Sequence, residues 1–438
     1  WLNISSPVTN QSVNSFVTNQ NNDISTAGDP VHTYGASYYK NTNIAGKRWT
    51  YHSPAGQEVN QEDLTQLNNG NLKNGQGYSM KRDAAGTFSF TGELATDNVV
   101  IDIDTETGGH NWHSIGNPYP SYLPGNNPAV TTNNVLSSNQ NNLDPNYVAL
   151  YIWIDGQHIP VNQLSESFYL APGQGFLIHS LDNDDTFIFN ESYQSHQSGD
   201  DDFERTTDNQ IPSILLSLSD GTTQKTTELK YIESATTGLD PGYDAGHFNQ
   251  GASLMSRLVE EDEGVGLVIN AMGLESVNDV VAPLELNMEA GNNFRISIGT
   301  FNINIGTNVY LEDNVQGTMT LLNDQDFELT AENELSGVGR FFIHLTETVL
   351  SIDDKIETNY LNVFKADVNN FITVEGLANQ SNGTKLRLYT IRGKEVIFTT
   401  LNNTNNKQII STQGLSTGIY IVKLESGNIL LTKKLFIK

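Results

Sequence analysis

Residues 415–438 read LSTGIYIVKLESGNILLTKKLFIK, and alternation decides their fold. Tyr420, Val422 and Leu424 interleave with Ile421, Lys423 and Glu425, and Ser426-Gly427-Asn428 has the chemistry of a hairpin turn. Past the turn, Ile429, Leu431, Leu435 and Ile437 share one face, interrupted by Lys433. Thr432, Lys434 and Lys438 share the other. This predicts two paired strands carrying four lysines and one acid. The surrounding chain is acidic, with 51 Asp plus Glu, 23 Lys plus Arg and a net charge of −28 over 438 residues. The contrast has a location: residues 351–438 hold 11 basic and 7 acidic side chains, whereas residues 1–350 hold 12 and 44. Such a switch marks a domain boundary and suggests two tasks. It falls near LTETVLSIDDKIETNYLNVF.

Working back from the hairpin, NVFKADVNNFITVEGL, TKLRLYTIRGKEVIFTTL and QIISTQGL also alternate. About seven strands in so short a segment predict a small Ig-like sandwich. The plain structural reading is a terminal cap whose edge lysines discourage sheet-to-sheet association.

KLRLYTIRGKEV followed by GLSTGIYIVKLESGNILLTKKLFIK resembles the type A C-terminal sorting domain of type IX secretion cargo in Bacteroidota. The matching positions are Gly393, Lys394 and Val396, then Leu415, Gly418, Tyr420 and Lys423, then Lys433, Lys434 and Lys438. Two positions depart from the pattern: KAD at Lys365 stands where many members have P-N-P, and YT at Tyr389 replaces a frequent Y-D. The resemblance implies export across the outer membrane to the cell surface. It implies as partners the type IX translocon, an outer-membrane β-barrel shuttle protein and a sortase-like attachment complex. Gly393, Lys394, Leu415, Gly418, Tyr420, Lys423, Lys433, Lys434 and Lys438 are the candidate partner-binding positions that the resemblance implies. Upstream, GHNWHSIGNPYPS, LAPGQGF and TELKYIESATTGLDPGYDAGHF resemble segments that precede such domains in flavobacterial surface proteins, many of them adhesin-like.

An internal repeat organises the first half. Trp1, Ile4 and Pro7 recur at one offset as Trp112, Ile115 and Pro118. LKNGQGYSM (72–80) recurs as LAPGQGFLI (170–178), and FSF (88–90) as FIF (187–189). SYY (37–39), followed by RWTY, pairs loosely with LYIWI (150–154). A period near 100 suits two sandwich modules rather than a solenoid. The glycines of N-G-Q-G-Y and P-G-Q-G-F read as tight turns. A phosphate cradle would need a helix after them, and no helical pattern follows. ILLSLS, PLELNME, FRISIG, NVYLED and RFFIHL make a third alternating unit. SLMSRLVEE reads as helix or strand, and ATTGLDPGYDAGHFNQ is a candidate functional loop. The fold class expected is all-β: domains 1–108 and 109–202 as repeat copies, a β-sandwich over 203–350, and the sorting domain over 351–438.

The chemistry of the sequence is mostly exclusion. Net acidity argues against nucleic acid as a partner. Cysteine is absent, so there is neither a disulfide framework nor a thiolate nucleophile. G-x-S-x-G and H-E-x-x-H are missing, and no catalytic motif is found. His110 and His113, flanking Trp112, read as exposed polar positions, and the leading tryptophans as core anchors. Asp182, Asp184, Asp185, Asp200, Asp201 and Asp202 are candidate calcium ligands, although no EF-hand spacing is present and solvated turns explain them as well. No other cofactor is expected. Trp49 and Trp153 are candidates for stacking on glycans. The start at Trp1 gives the expectation that this is the C-terminal piece of a longer precursor. Two functions follow as expectations: an exported adhesin-like or structural surface protein, or accessory glycan-binding modules of a secreted enzyme whose catalytic domain lies upstream.

Overall fold

The alternating segments form β-strands along most of the chain. The computed structural model describes the chain apart from residues 27–32, 44–45, 55–59, 105–108, 155, 182–184, 197–210, 249–251, 279–280, 304–305, 347–361, 366–370, 381–382, 406, 428 and 438. It is an all-β protein in two units: Trp1–Asn209 with Pro241–Ala245, and Gln210–Asp240 with Gly246–Lys438.

The first unit contains two sheets of the same plan. In one, the strands run in the order Leu2–Ser5, Gly77–Met80, Ala36–Tyr39, Trp49–His52, Gln61–Glu62. In the other, the order is Trp112–Gly116, Gly175–His179, Leu150–Ile154, Gln157–Val161. The registers agree as well, with Ser5 opposite Gly77 and Gly116 opposite Gly175. The hairpins extend the sequence match: LYIWI corresponds to SYY, and Gln157–Val161 takes the place of RWTY.

Other repeat positions diverge. Phe187 and Phe189 lie in a strand, Thr186–Phe189, which pairs with Val99–Asp102. Phe88 and Phe90 lie outside any strand and instead pack on Phe16, at 5.9 and 4.9 Å between ring centres. Ile101 and Ile103 belong to the second core, with Ile115, Phe176 and Phe187. That core therefore draws on chain before residue 109. Trp112 is a core anchor, set edge-on to Tyr151 and His179. Trp1 is not: it is 48% exposed and leans edge-on against Tyr51.

The GQG segments lock the two copies together reciprocally. Ser5 N–H donates to Gly173 O (2.7 Å), and the equivalent Gly116 N–H donates to Gly75 O (2.9 Å). Ile4 bridges Gln174 as Ile115 bridges Gln76. Asn3 and Ser114 occupy equivalent positions, and they touch each other, Ser114 Oγ donating to Asn3 Oδ1 at 3.2 Å. Self-contact between equivalent residues is the signature of a two-fold interface, here built within one chain. The glycines are required by space. A Cβ on Gly77 would lie 2.2 Å from Ser114 Oγ, and one on Gly175 would lie 2.6 Å from Asn3 Oδ1. The loop singled out near residue 240 contributes to this unit: Gln163 N–H donates to Gly242 O (3.0 Å) and Asn162 Nδ2 to Tyr243 O (2.6 Å).

In the second unit, residues 213–346 form one continuous hydrogen-bonded sheet rather than two separate ones. It closes face to face, because Phe294 and Phe327 near one end meet Phe341 from the other side, at 6.4 and 5.7 Å. SLMSRLVEE resolves as a strand, Ser253–Ser256. The C-terminal domain is a two-sheet sandwich. Asn362–Lys365, Phe371–Glu375 and Lys407–Ser411 form one sheet. Glu395–Leu401, Thr384–Thr390, Gly418–Ser426 and Ile429–Ile437 form the other. Val363, Ile372 and Val374 fill the space against Leu388, Tyr420, Val422 and Leu435.

Candidate functional site: the basic terminal hairpin

The hairpin forms as its alternation dictates. Gly418–Ser426 pairs antiparallel with Ile429–Ile437, from Gly418 opposite Ile437 to Ser426 opposite Ile429, and Gly427 supplies the positive φ of the turn (59°). Leu431, Leu435 and Ile437 face the domain's own core. Lys433 shares that face. It is half-buried on an edge strand, where an inward charge discourages further pairing.

The opposite face meets the preceding sandwich. Phe436 and Ile419 join the core of residues 213–346. The Arg257 guanidinium sits 5.7 Å from the Phe436 ring. Arg257 is itself buried and ion-paired with Asp262 and Glu285, both at 2.7 Å. Burial pushes the Asp262 carboxyl up, against the pull of Arg257. The backbones join too: Ile419 N–H donates to Val259 O (3.3 Å) and Asp262 N–H to Thr417 O (3.2 Å). At the rim Arg392 pairs with Glu260 at 2.6 Å.

Lys434 enters a three-member chain. Its Nζ lies 3.4 Å from His344 Nδ1, and His344 Nε2 lies 2.6 Å from Glu312. A charged Lys434 donating to Nδ1 places the imidazole proton on Nε2, directed at Glu312. Burial disfavours the Glu312 carboxylate, but His344, Lys434 and Lys433 outweigh it and hold its pKa below the usual range. Burial lowers both lysines, and Glu312 opposes that shift.

The remaining expected positions sort by place. Tyr420 is buried and donates its hydroxyl to Ser416 O (2.8 Å), while Leu415 packs partly against the same core. Gly418, at φ 156°, passes so close that a Cβ would lie 3.3 Å from Val259 O. Gly393 (φ 80°) turns the hairpin between Thr384–Thr390 and Glu395–Leu401, with open space around it. Lys394 and Lys423 are exposed, and Lys423 reaches over the Tyr389 ring. Lys438 lies outside the described residues. Glu312, His344, Arg257 and Asp262 were not anticipated. The available signal was Phe436, an aromatic residue set between Lys434 and Lys438 on the lysine face, where a large ring calls for cover.

Other candidates resolve differently. Of the proposed calcium ligands, Asp182, Asp184, Asp200, Asp201 and Asp202 lie outside the described residues. Asp185 accepts Ile103 N–H at its backbone carbonyl (3.0 Å). Among the described residues no group of three or more His, Asp or Glu is placed to hold a metal ion. His110 and His113 are half-buried rather than exposed. His110 packs edge-on to Tyr39, and His113 Nε2 lies 3.3 Å from Ser180 Oγ. Burial lowers both to about 4.

Comparison with known proteins agrees with the hairpin. Residues 366–438 match the secretion system C-terminal sorting domain, so the chain is cargo of the type IX system, exported across the outer membrane to the cell surface or beyond. No curated protein matches the chain. One family model runs through both repeat copies and the sandwich that holds the tail. Residues 1–344 match the domain of unknown function DUF8693, and the chain belongs to that family.

Proposed function

We propose that this is a non-enzymatic, adhesin-like or structural surface protein, displayed through residues 1–346 and delivered by its tail. The reciprocal interlock of the GQG segments carries the reading. The most motif-like residues of the family region are spent on joining two β-modules, as suits a part that must persist as a scaffold. A β-barrel shuttle would collect the tail at the translocon, and a sortase-like complex would attach the cargo. The test is surface display in a type IX host, with and without residues 362–438, read by antibody labelling of intact cells, together with adhesion of those cells to surfaces. Display that depends on the tail and adhesion that depends on display support the proposal. Unchanged adhesion in a strain lacking the protein would sink the adhesive part. The rival, glycan-binding modules of a larger enzyme, rests on Trp49 and Trp153. Both are half-buried, with Trp49 edge-on to Tyr39 and Trp153 against His158. Binding on a glycan array that is lost in Trp153→Ala would favour it.

A further inference from the structure

The outer face of the four-stranded sheet in the sorting domain is divided in two. Cross-strand register sets its rows. Ile419 and Phe436 form one row, and Ile421 and Lys434 the next. Phe398, Arg387, Lys423 and Thr432 form a third, and Lys385, Glu425 and Leu430 a fourth. The first row is built into the sandwich core, and Lys434 in the second reaches His344. The third and fourth rows are open. Phe398 is 52% and Leu430 65% exposed, Arg387 lies 4.5 Å over the Phe398 ring, and Lys385 and Lys423 are exposed beside them.

We infer that the export machinery binds the tail while it remains docked on the sandwich, through this open half. The inference rests on the reading of the tail as the export signal. The partner is a protein surface of the machinery with an apolar centre for Phe398 and Leu430 and carboxylates for Lys385 and Lys423, Arg387 being already paired with Glu395 at 2.7 Å. Two observations commit to that chemistry. The open rows continue directly from an interface already made. On that neighbouring half the chain uses the same complement: apolar core around Phe436 and Ile419, and Glu260 and Glu312 for Arg392 and Lys434. The covered half needs the loss of a buried contact before it can be read, whereas the open half needs none. Exposed aromatic and Arg side chains at the centre of a patch are also where binding energy concentrates.

The absence of cysteine makes a direct test available. A Cβ on Gly339 would lie 4.0 Å from that of Phe436, within disulfide range, so Gly339→Cys with Phe436→Cys locks the docked state in the oxidising periplasm. The full chain carrying this pair is expected to reach the surface as well as either single variant. Phe398→Glu with Leu430→Glu, both at exposed positions, is expected to reduce surface display about tenfold with an unchanged thermal midpoint. This second pair decides the matter even if Cys at position 339 (φ 114°) impairs folding. Export lost in the oxidised lock and restored by a reductant overturns the proposal, because the covered half is then what is read. Normal export of the glutamate pair overturns it too. So does a full-chain dimer, by light scattering, that the glutamate pair converts to monomer, since the face then serves a second copy. Deletion of residues 362–438 is the separate control: undiminished export there removes the underlying reading rather than the choice of face.

Discussion

The chain contains two joins between β-modules, and they are made of different material. The repeat copies meet through backbone: reciprocal N–H to carbonyl bonds, isolated bridges, and glycines where a Cβ has no room. The sorting domain meets its sandwich largely through side chains: Phe436 on Arg257, Lys434 on His344, Arg392 on Glu260. A backbone join of that kind has no low-cost substitute, because a change at the contact moves main chain. A side-chain join can be weakened in graded steps. The first resists gradual loosening, and the second permits it.

The largest expected effect tests the tail join at its base. Asp262→Ala strands Arg257 with Glu285 as its remaining partner and should cost the second unit about 3–5 kcal/mol. Urea unfolding followed by near-ultraviolet dichroism reads this, and a loss below about 1 kcal/mol would mean that Glu285 suffices. Next comes the repeat join: Gly77→Ala should cost about 2–3 kcal/mol and reduce amide protection in both copies. Gly393→Ala is the contrast, with a left-handed φ but open space, and should cost about 1 kcal/mol. If the two glycines cost the same, the interlock is looser than its distances indicate.

Acid separates the joins by mechanism. His110 and His113 are lowered to about 4 in the folded first unit. The unfolded chain takes up their protons from about pH 6.5 downward while the folded chain does not, so this unit weakens between about 6.5 and about 4. Glu312 behaves in the same sense but at lower pH. Its depressed folded pKa contributes stability above the usual carboxylate range, and the contribution is lost as pH falls through the folded value. A pH series of hydrogen exchange should therefore loosen the repeat unit first and the tail contact last; the reverse order would contradict both assignments. The smallest effect is Arg392→Ala. Its guanidinium is 78% exposed, so the loss should be below about 0.5 kcal/mol.

Period-two patterning made the strands, the hairpin register and the all-β class readable, because side-chain alternation is local information. The repeat was readable too, since Trp112, Ile115 and the GQG glycines recur in order. The reciprocal crossing was not. Nothing in N-G-Q-G says that Gly75 will accept a hydrogen bond from Gly116 rather than from its own copy. Likewise Lys434 could be placed on a polar face, but its partners Glu312 and His344 lie some 90 or more residues away in the chain. Pairings over such separations depend on which faces meet, and alternation is silent about that.

The interlock also bears on what happens outside the cell. Two separate subunits joined by the same contacts would come apart on dilution, because association between molecules falls with concentration. Linked in one chain, the copies see each other at an effective concentration set by the connection between them, whatever the bulk value. A protein delivered to an open medium, where no pool of free partners builds up, keeps its two-fold joint by carrying both halves itself.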